Sequence, residues 1–162
     1  MSISPERAGH GINQRAQIRM TPDEVDAYLH EGKTIIMCTL NRDNTIHAVA
    51  MYYGFLDGCV AFETKTKSQK VQNLKRNPTI TCLLESGDNY NELRGVSLTG
   101  RGEVIDDPDR MWELGISIWE RNTGPYTPAA DPHIRTMLNK RVVVKVHVDR
   151  VVSWDHHKLG LA

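Results

Sequence analysis

No stretch of about 18 apolar residues occurs in this 162-residue chain, so it holds no candidate for a membrane-spanning helix. Met1 to Gln17 lack the apolar centre that a secretory leader needs, which makes a cytoplasmic protein the expectation. Net charge is missing as well, since 20 Lys and Arg balance 20 Asp and Glu. A chain with no overall field cannot hold a polyanion across its surface, and no aromatics interleave with its one basic helix. Nucleic-acid binding is therefore not expected, and any anion site must be local. Cysteine is scarce: Cys38, Cys59 and Cys82 each fall in an apolar run without C-x-x-C spacing and read as reduced core thiols. H-E-x-x-H and finger spacings are absent, and His156-His157 point to opposite sides of an extended segment, so no metal site is expected.

What is present reads as one domain. Residues 1–20 carry no hydrophobic period and are expected to form a flexible N-terminal arm, with the domain proper spanning 21–162. Thr21-Pro22-Asp23-Glu24 is a capping box that opens a helix running to about Glu31 and ended by Gly32. Strands follow at Thr34–Leu40, Thr45–Tyr53 and Cys59–Thr64, separated by turn chemistry at Asn41-Arg42-Asp43-Asn44 and Asp57-Gly58. A polar helix, 67–76, closes at Asn77-Pro78. Further strands are expected at Thr79–Glu85 and about Leu93–Ile105, the latter with Gly100 and Gly102 suited to a bend or bulge. Two short helices opened by Asp107-Pro108 and Asp131-Pro132 precede a last strand from Arg141 to Val152. There Val142, Val144, Val146 and Val148 share the parity expected to face a core. Six strands, mostly antiparallel and without βαβ alternation, predict a mainly β, α+β fold: a small closed barrel with inserted short helices.

Hydroxyls and lysines cluster where the third strand gives way to the polar helix, in Thr64-Lys65-Thr66-Lys67-Ser68-Gln69-Lys70. A helix N-terminus offers unpaired N–H groups and a positive dipole end, and nearby cations and hydroxyls make it a phosphate cradle. Thr66 is the expected cap, with Gln69 completing a capping box. The same composition also suits a solvated surface helix.

The order Thr64, Ser68, Lys70, Asn73, Leu74, Pro78 resembles the flavin-phosphate segment of the pyridoxamine 5′-phosphate oxidase-like split barrels. Arg94-Gly95-Val96, Gly100-Arg101-Gly102-Glu103-Val104 and Val152-Ser153-Trp154-Asp155-His156-His157-Lys158-Leu159 are similar to later landmarks of that family. The resemblance implies a six-stranded antiparallel split β-barrel and a cofactor phosphate held by Ser68, Gln69 and Lys70. It places Thr64 and Lys65 beside the ribityl chain and Val49, Ala50, Met51 and Tyr52 along the ring, and it implies a homodimer with the cofactor at the interface. Trp154 would reach that cofactor from the partner subunit.

Gly95 stands where the oxidases proper carry Gln, and their terminal Arg pair is missing, with Lys158 alone as a nearby substrate cation. The resemblance is therefore to the shorter branch, FMN- or deazaflavin (F420)-dependent oxidoreductases that transfer hydride to unsaturated or nitro-type organic substrates. Lys65, Lys67, Lys75 and Arg76 favour the more anionic F420 over FMN. Tyr52 and His47 are candidate proton donors, neither compelled by the sequence, and Tyr52 would also border the substrate. The alternatives are a non-catalytic flavin, F420 or haem binder, or a haem-degrading enzyme on the same barrel with His147 or His157 as axial ligand.

Overall fold

The computed structural model describes residues 13–161 and contains seven strands and five α-helices among them. Helix α1 (Gln14–Gln17) leads into α2 (Pro22–Glu31), whose capping box forms as the sequence predicts. Glu24 N–H donates to Thr21 Oγ1 at 3.2 Å, and Thr21 N–H donates to Glu24 Oε2 at 2.7 Å. Strands β1 (Thr34–Leu40), β2 (Ile46–Tyr52), β3 (Gly54–Leu56) and β4 (Cys59–Lys65) follow, then α3 (Gln69–Arg76) and β5 (Thr79–Ser86). The chain ends with β6 (Arg94–Ile105), α4 (Pro108–Asn122), α5 (Asp131–Leu138) and β7 (Arg141–Asp155). Residues 1–12, most of the expected arm, lie outside the described residues. Its inner end is part of the domain, because Met20 is buried and Asp155 N–H donates to Ile18 O at 2.7 Å.

The strands form one sheet in the order β2-β1-β5-β6-β7-β4-β3, antiparallel at every pairing. The sheet has seven strands rather than the expected six, because the return strand does not end at Tyr53. It changes partner there: β2 pairs with β1, β3 with β4, and only Tyr53 separates them. The two edge strands of the sheet are thus consecutive in the chain. That rolls the sheet into a barrel split at one residue.

The barrel interior is filled from alternate positions of the strands, among them Ile35, Met37, Phe62, Ile80, Cys82, Leu98, Val144 and Val146, all at most 2% exposed. Burial of each large apolar side chain contributes about 1.5–3 kcal/mol, so this layer dominates the fold's stability. Helices α4 and α5 cover the outer face of the neighbouring strands, where Leu114 and Ile118 meet Leu56, Ala61 and Val143. Val148 departs from the expected alternation and is 41% exposed. It sits next to a register shift between Thr99 and Gly100, which pairs Thr99 with Arg150 and Gly100 with Val148 and leaves Asp149 bulged. Only glycine fits there, since a Cβ on Gly100 would lie 1.9 Å from His147 O.

The split is held by one side chain. The Arg121 guanidinium, on α4, donates to Tyr53 O at 3.0 Å, to His30 O at 3.2 Å, to Leu29 O at 3.3 Å and to Gly32 O, and it lies over the Tyr53 and Phe55 rings. It satisfies the last carbonyls of α2 and pins the residue at which the sheet ends meet.

Candidate functional site

Helix α3 sits across one end of the barrel, with Val71 and Leu74 buried beneath it. Asn73 is fully buried and fixes its placement. It accepts from Gln69 Nε2 at 2.8 Å and donates to Thr39 Oγ1 at 3.1 Å and to Asn41 Oδ1 at 2.9 Å, tying the helix to β1 and to the β1–β2 turn.

The N-terminus of α3 differs from the expected capping box. Ser68, not Thr66, is the N-cap residue, and no side chain caps the end. Thr66 is committed elsewhere, its N–H and its hydroxyl both donating to Lys140 O at 3.1 and 3.2 Å. The strand runs on to Lys65, and a turn closed by Ser68 N–H to Lys65 O at 2.9 Å delays the helix by two residues. The first-turn amides, which an α-helix cannot satisfy internally, therefore have no side-chain cap from the protein. Buried Thr64 lies 3.4 Å from the Ser68 hydroxyl.

Cations converge on this end. The Lys70 ammonium is held below the usual lysine range, first by partial burial and then by the charge of Arg141. The sequence reading missed Arg141. It reaches the site because β4 pairs with β7 in a register that sets Lys65 opposite Arg141, 76 residues apart in the chain. Its nearest acid is Glu63, whose Oε2 lies 3.0 Å from Arg141 Nη1 without the alignment of a hydrogen bond. Burial outweighs that attraction and raises the Glu63 carboxyl to about 7. Exposed Lys65 and Lys67 add charge around the rim.

Beside α3 opens a shallow cleft of about 500 Å³ lined by Asn41, Arg42, Asp43, His47 and Gln69. The structure thus brings together Gln69 and His47, two predicted site residues, and adds the turn Asn41-Arg42-Asp43, which the sequence shows only as turn chemistry. His47 Nδ1 is enclosed without a partner. Tyr52 lies elsewhere: it is 61% exposed at the other end of β2, and its odd spacing from His47 sets the two on opposite faces. Val49 and Met51 share the His47 face, and Ala50 shares that of Tyr52. As a sheet edge, β2 keeps one side of its backbone free of strand pairing.

The C-terminal landmarks form a second group. Trp154 pairs with Gly95, and its indole lies flat on that glycine, so that a Cβ there would fall 2.1 Å from the ring. This explains why a larger residue is missing after Arg94. Lys158 donates to Glu24 Oε2 at 2.5 Å and to Arg19 O at 2.9 Å, which engages it with the N-terminal segment. His156 Nδ1 is 2.6 Å from Tyr90 O, and His157 Nδ1 is 2.8 Å from Asp155 Oδ1. Among the described residues no group of three or more His, Cys, Asp or Glu is placed to hold a metal ion, and no helix is long and apolar enough to cross a membrane.

Comparison with known proteins agrees with this architecture. A conserved hypothetical protein from Mycobacterium tuberculosis is 44% identical, with a TM-score of 0.89 over 93% of this chain and 94% of that one. A structure described as an F420 reductase is 25% identical, with a TM-score of 0.59 over 78% and 94% of the two chains. The haem storage protein of Vibrio cholerae shares the fold at 10% identity, with a TM-score of 0.64 over 82% and 94%. No curated protein matches the chain. The model of the pyridoxamine 5′-phosphate oxidase family matches residues 21–155, across β1 to β7, and the chain belongs to that family.

Proposed function

We propose that the chain binds a flavin-type nucleotide, F420 in preference to FMN, and serves as an oxidoreductase for a small unsaturated or nitro-type organic substrate. The observation that carries this reading is the N-terminus of α3, left uncapped by the protein while Lys70 and Arg141 converge on it. An arriving phosphate would meet free amides, the Ser68 hydroxyl and two cations. It would also offset the partial burial and, after it, the Arg141 charge that together hold Lys70 below its ordinary pKa. The residues present fit such a group.

When bound, the cofactor ring supplies or accepts hydride. The protein's part is placement. Ser68, Lys70 and Arg141 hold the phosphate end, Thr64 and Lys65 border the chain that follows, and Val49, Ala50 and Met51 offer the unpaired backbone edge of β2 to the ring. His47, which shares the cleft with Gln69, is positioned to deliver a proton, and Tyr52 on the opposite face borders the substrate only from a second protomer. Arg42 and the rim lysines supply the extra positive charge that the acidic tail of F420 would use. The similarity to an F420 reductase supports the same choice.

A homodimer fits the outer face of the sheet. Ile36, Cys38, Leu40, Ala48, Ala50 and Leu83 share that face, and Ile46 and Tyr52 are 68% and 61% exposed, more apolar surface than a lone barrel needs to present. In such a dimer Trp154 would be the side chain offered to the partner's cofactor.

Titration with FMN and with F420, followed by fluorescence quenching and anisotropy, tests the reading. Lys70→Ala is expected to weaken binding by about 1.5–3 kcal/mol. Unchanged affinity removes the site. One observation favours the second reading, haem binding: the Asp155 carboxylate orients His157 through Nδ1 and leaves Nε2 outward, as partners of ligand histidines do. A Soret band that is lost in His157→Ala would decide for it.

A further inference from the structure

A second cavity, of about 850 Å³, lies between the α1–α2 segment and the end of β7, Arg150 to Ser153. Its floor is apolar, built from Val25, Leu29 and Val151. Its rim carries three arginines, Arg15, Arg19 and Arg150, against one carboxylate, Asp26. Ion pairs among the described residues engage Arg94, Arg110 and Arg141 and none of these three, whereas Asp26 is 3.6 Å from His30.

The cavity follows from the backbone. The bulge between Thr99 and Gly100 breaks the alternation near the end of β7, where Val148 and Val151 stand 41% and 47% exposed. The opposite wall is stitched in place by Met20 N–H to Ser153 Oγ at 3.1 Å, Asp155 N–H to Ile18 O at 2.7 Å and Lys158 Nζ to Arg19 O at 2.9 Å. The Arg19 main chain is thereby fixed at the cavity rim, beside Val151, before any ligand arrives, which lowers the ordering cost of binding.

We infer that this cavity is a binding site for an amphipathic organic anion: a carboxylate, sulfonate or phosphate group on an apolar body of drug-like size. The volume lies in the range of small-molecule sites. A neutral apolar ligand would leave three guanidinium groups without a use. A hydrophilic anion would leave the valines in water. The site is separate from the α3 cradle within one protomer, because Arg141 and Arg150 are nine residues apart on β7, roughly 30 Å along an extended strand.

The full chain is titrated with 8-anilinonaphthalene-1-sulfonate, then with decanoate or decanol as competitor. The expected result is saturable binding of one probe per protomer, displaced by decanoate at least tenfold more effectively than by decanol. The double variant Arg19→Gln/Arg150→Gln, both exposed positions, should bind at least tenfold more weakly with an unchanged melting temperature. Lys70→Ala should bind the probe like the native chain. No saturable binding, equal displacement by the two competitors, an unaffected double variant, or binding that disappears as the chain dimerises each overturns the inference. Should the double variant melt early, Arg150→Gln alone provides the same test. Recruitment to anionic phospholipid vesicles without displacement by decanoate would assign the arginines to a lipid surface and overturn it too.

Discussion

The crossing at Tyr53 and the N-terminus of α3 are built on opposite terms. At the crossing every exposed end is closed by the protein itself: four main-chain carbonyls accept from Arg121, and the Tyr53 hydroxyl donates to Leu29 O. At α3 the helix end is left without a cap, Lys70 and Arg141 repel one another, and Glu63 is buried beside them with an orphaned oxygen. The first region stabilises the fold. The second costs stability, and such a cost persists where a ligand repays it. Sites that the protein leaves unsatisfied are therefore where function is to be sought.

The contrast can be broken most forcefully at Arg121. Arg121→Ala should cost about 3–5 kcal/mol in urea unfolding, since it removes the guanidinium from which four main-chain carbonyls, three of them part-buried, accept. A loss below 1 kcal/mol would show that the crossing does not depend on this residue. The next largest effect is expected at Glu63. An unfolded chain releases this proton near 4.5 and the folded protein keeps it until about 7. Folding therefore takes up a proton between those values, and stability should fall by about 3 kcal/mol as pH rises through that window. Glu63→Gln should flatten the melting temperature over pH 5–7. A slope that survives the substitution assigns it to another group. The finest test compares two caps. Thr21→Ala should cost about 1 kcal/mol, because its hydroxyl accepts from Glu24 N–H, while Ser68→Ala should cost under about 0.3 kcal/mol and act on ligand affinity instead. Equal costs would mean that Ser68 caps α3 in solution.

Local chemistry was legible in the sequence wherever the responsible residues are neighbours. The capping box at Thr21, the stop at Asn77-Pro78 and the alternating valines of β7 as far as Val146 all appear in the structure. The change of partner at Tyr53 was not legible, since it requires no turn residue: the return strand read as ending at Tyr53, and Gly54–Leu56 was not assigned as a strand. Ser68 could not be told from Thr66 as the cap, because the choice depends on Lys140 O, which claims Thr66 from across the sheet. Arg141 was out of reach for a similar reason: only the β4–β7 register brings it to Lys70. Met20 shows the opposite error, a residue in an aperiodic stretch that fills the core through contacts made far along the chain. Of the predicted site residues, Ser68, Gln69, Lys70, Thr64 and His47 gather at one end of the barrel, whereas Tyr52, Trp154 and Lys158 lie away from it.

The single-residue passage between β2 and β3 has a mechanical consequence. A strand joined to its successor by one clamped peptide has no slack, so the edge that borders the cleft cannot swing outward without dragging the Tyr53 ring from beneath the Arg121 plane. That edge behaves as a rail and not as a flap, and whatever opens to admit a ligand must move elsewhere in the molecule.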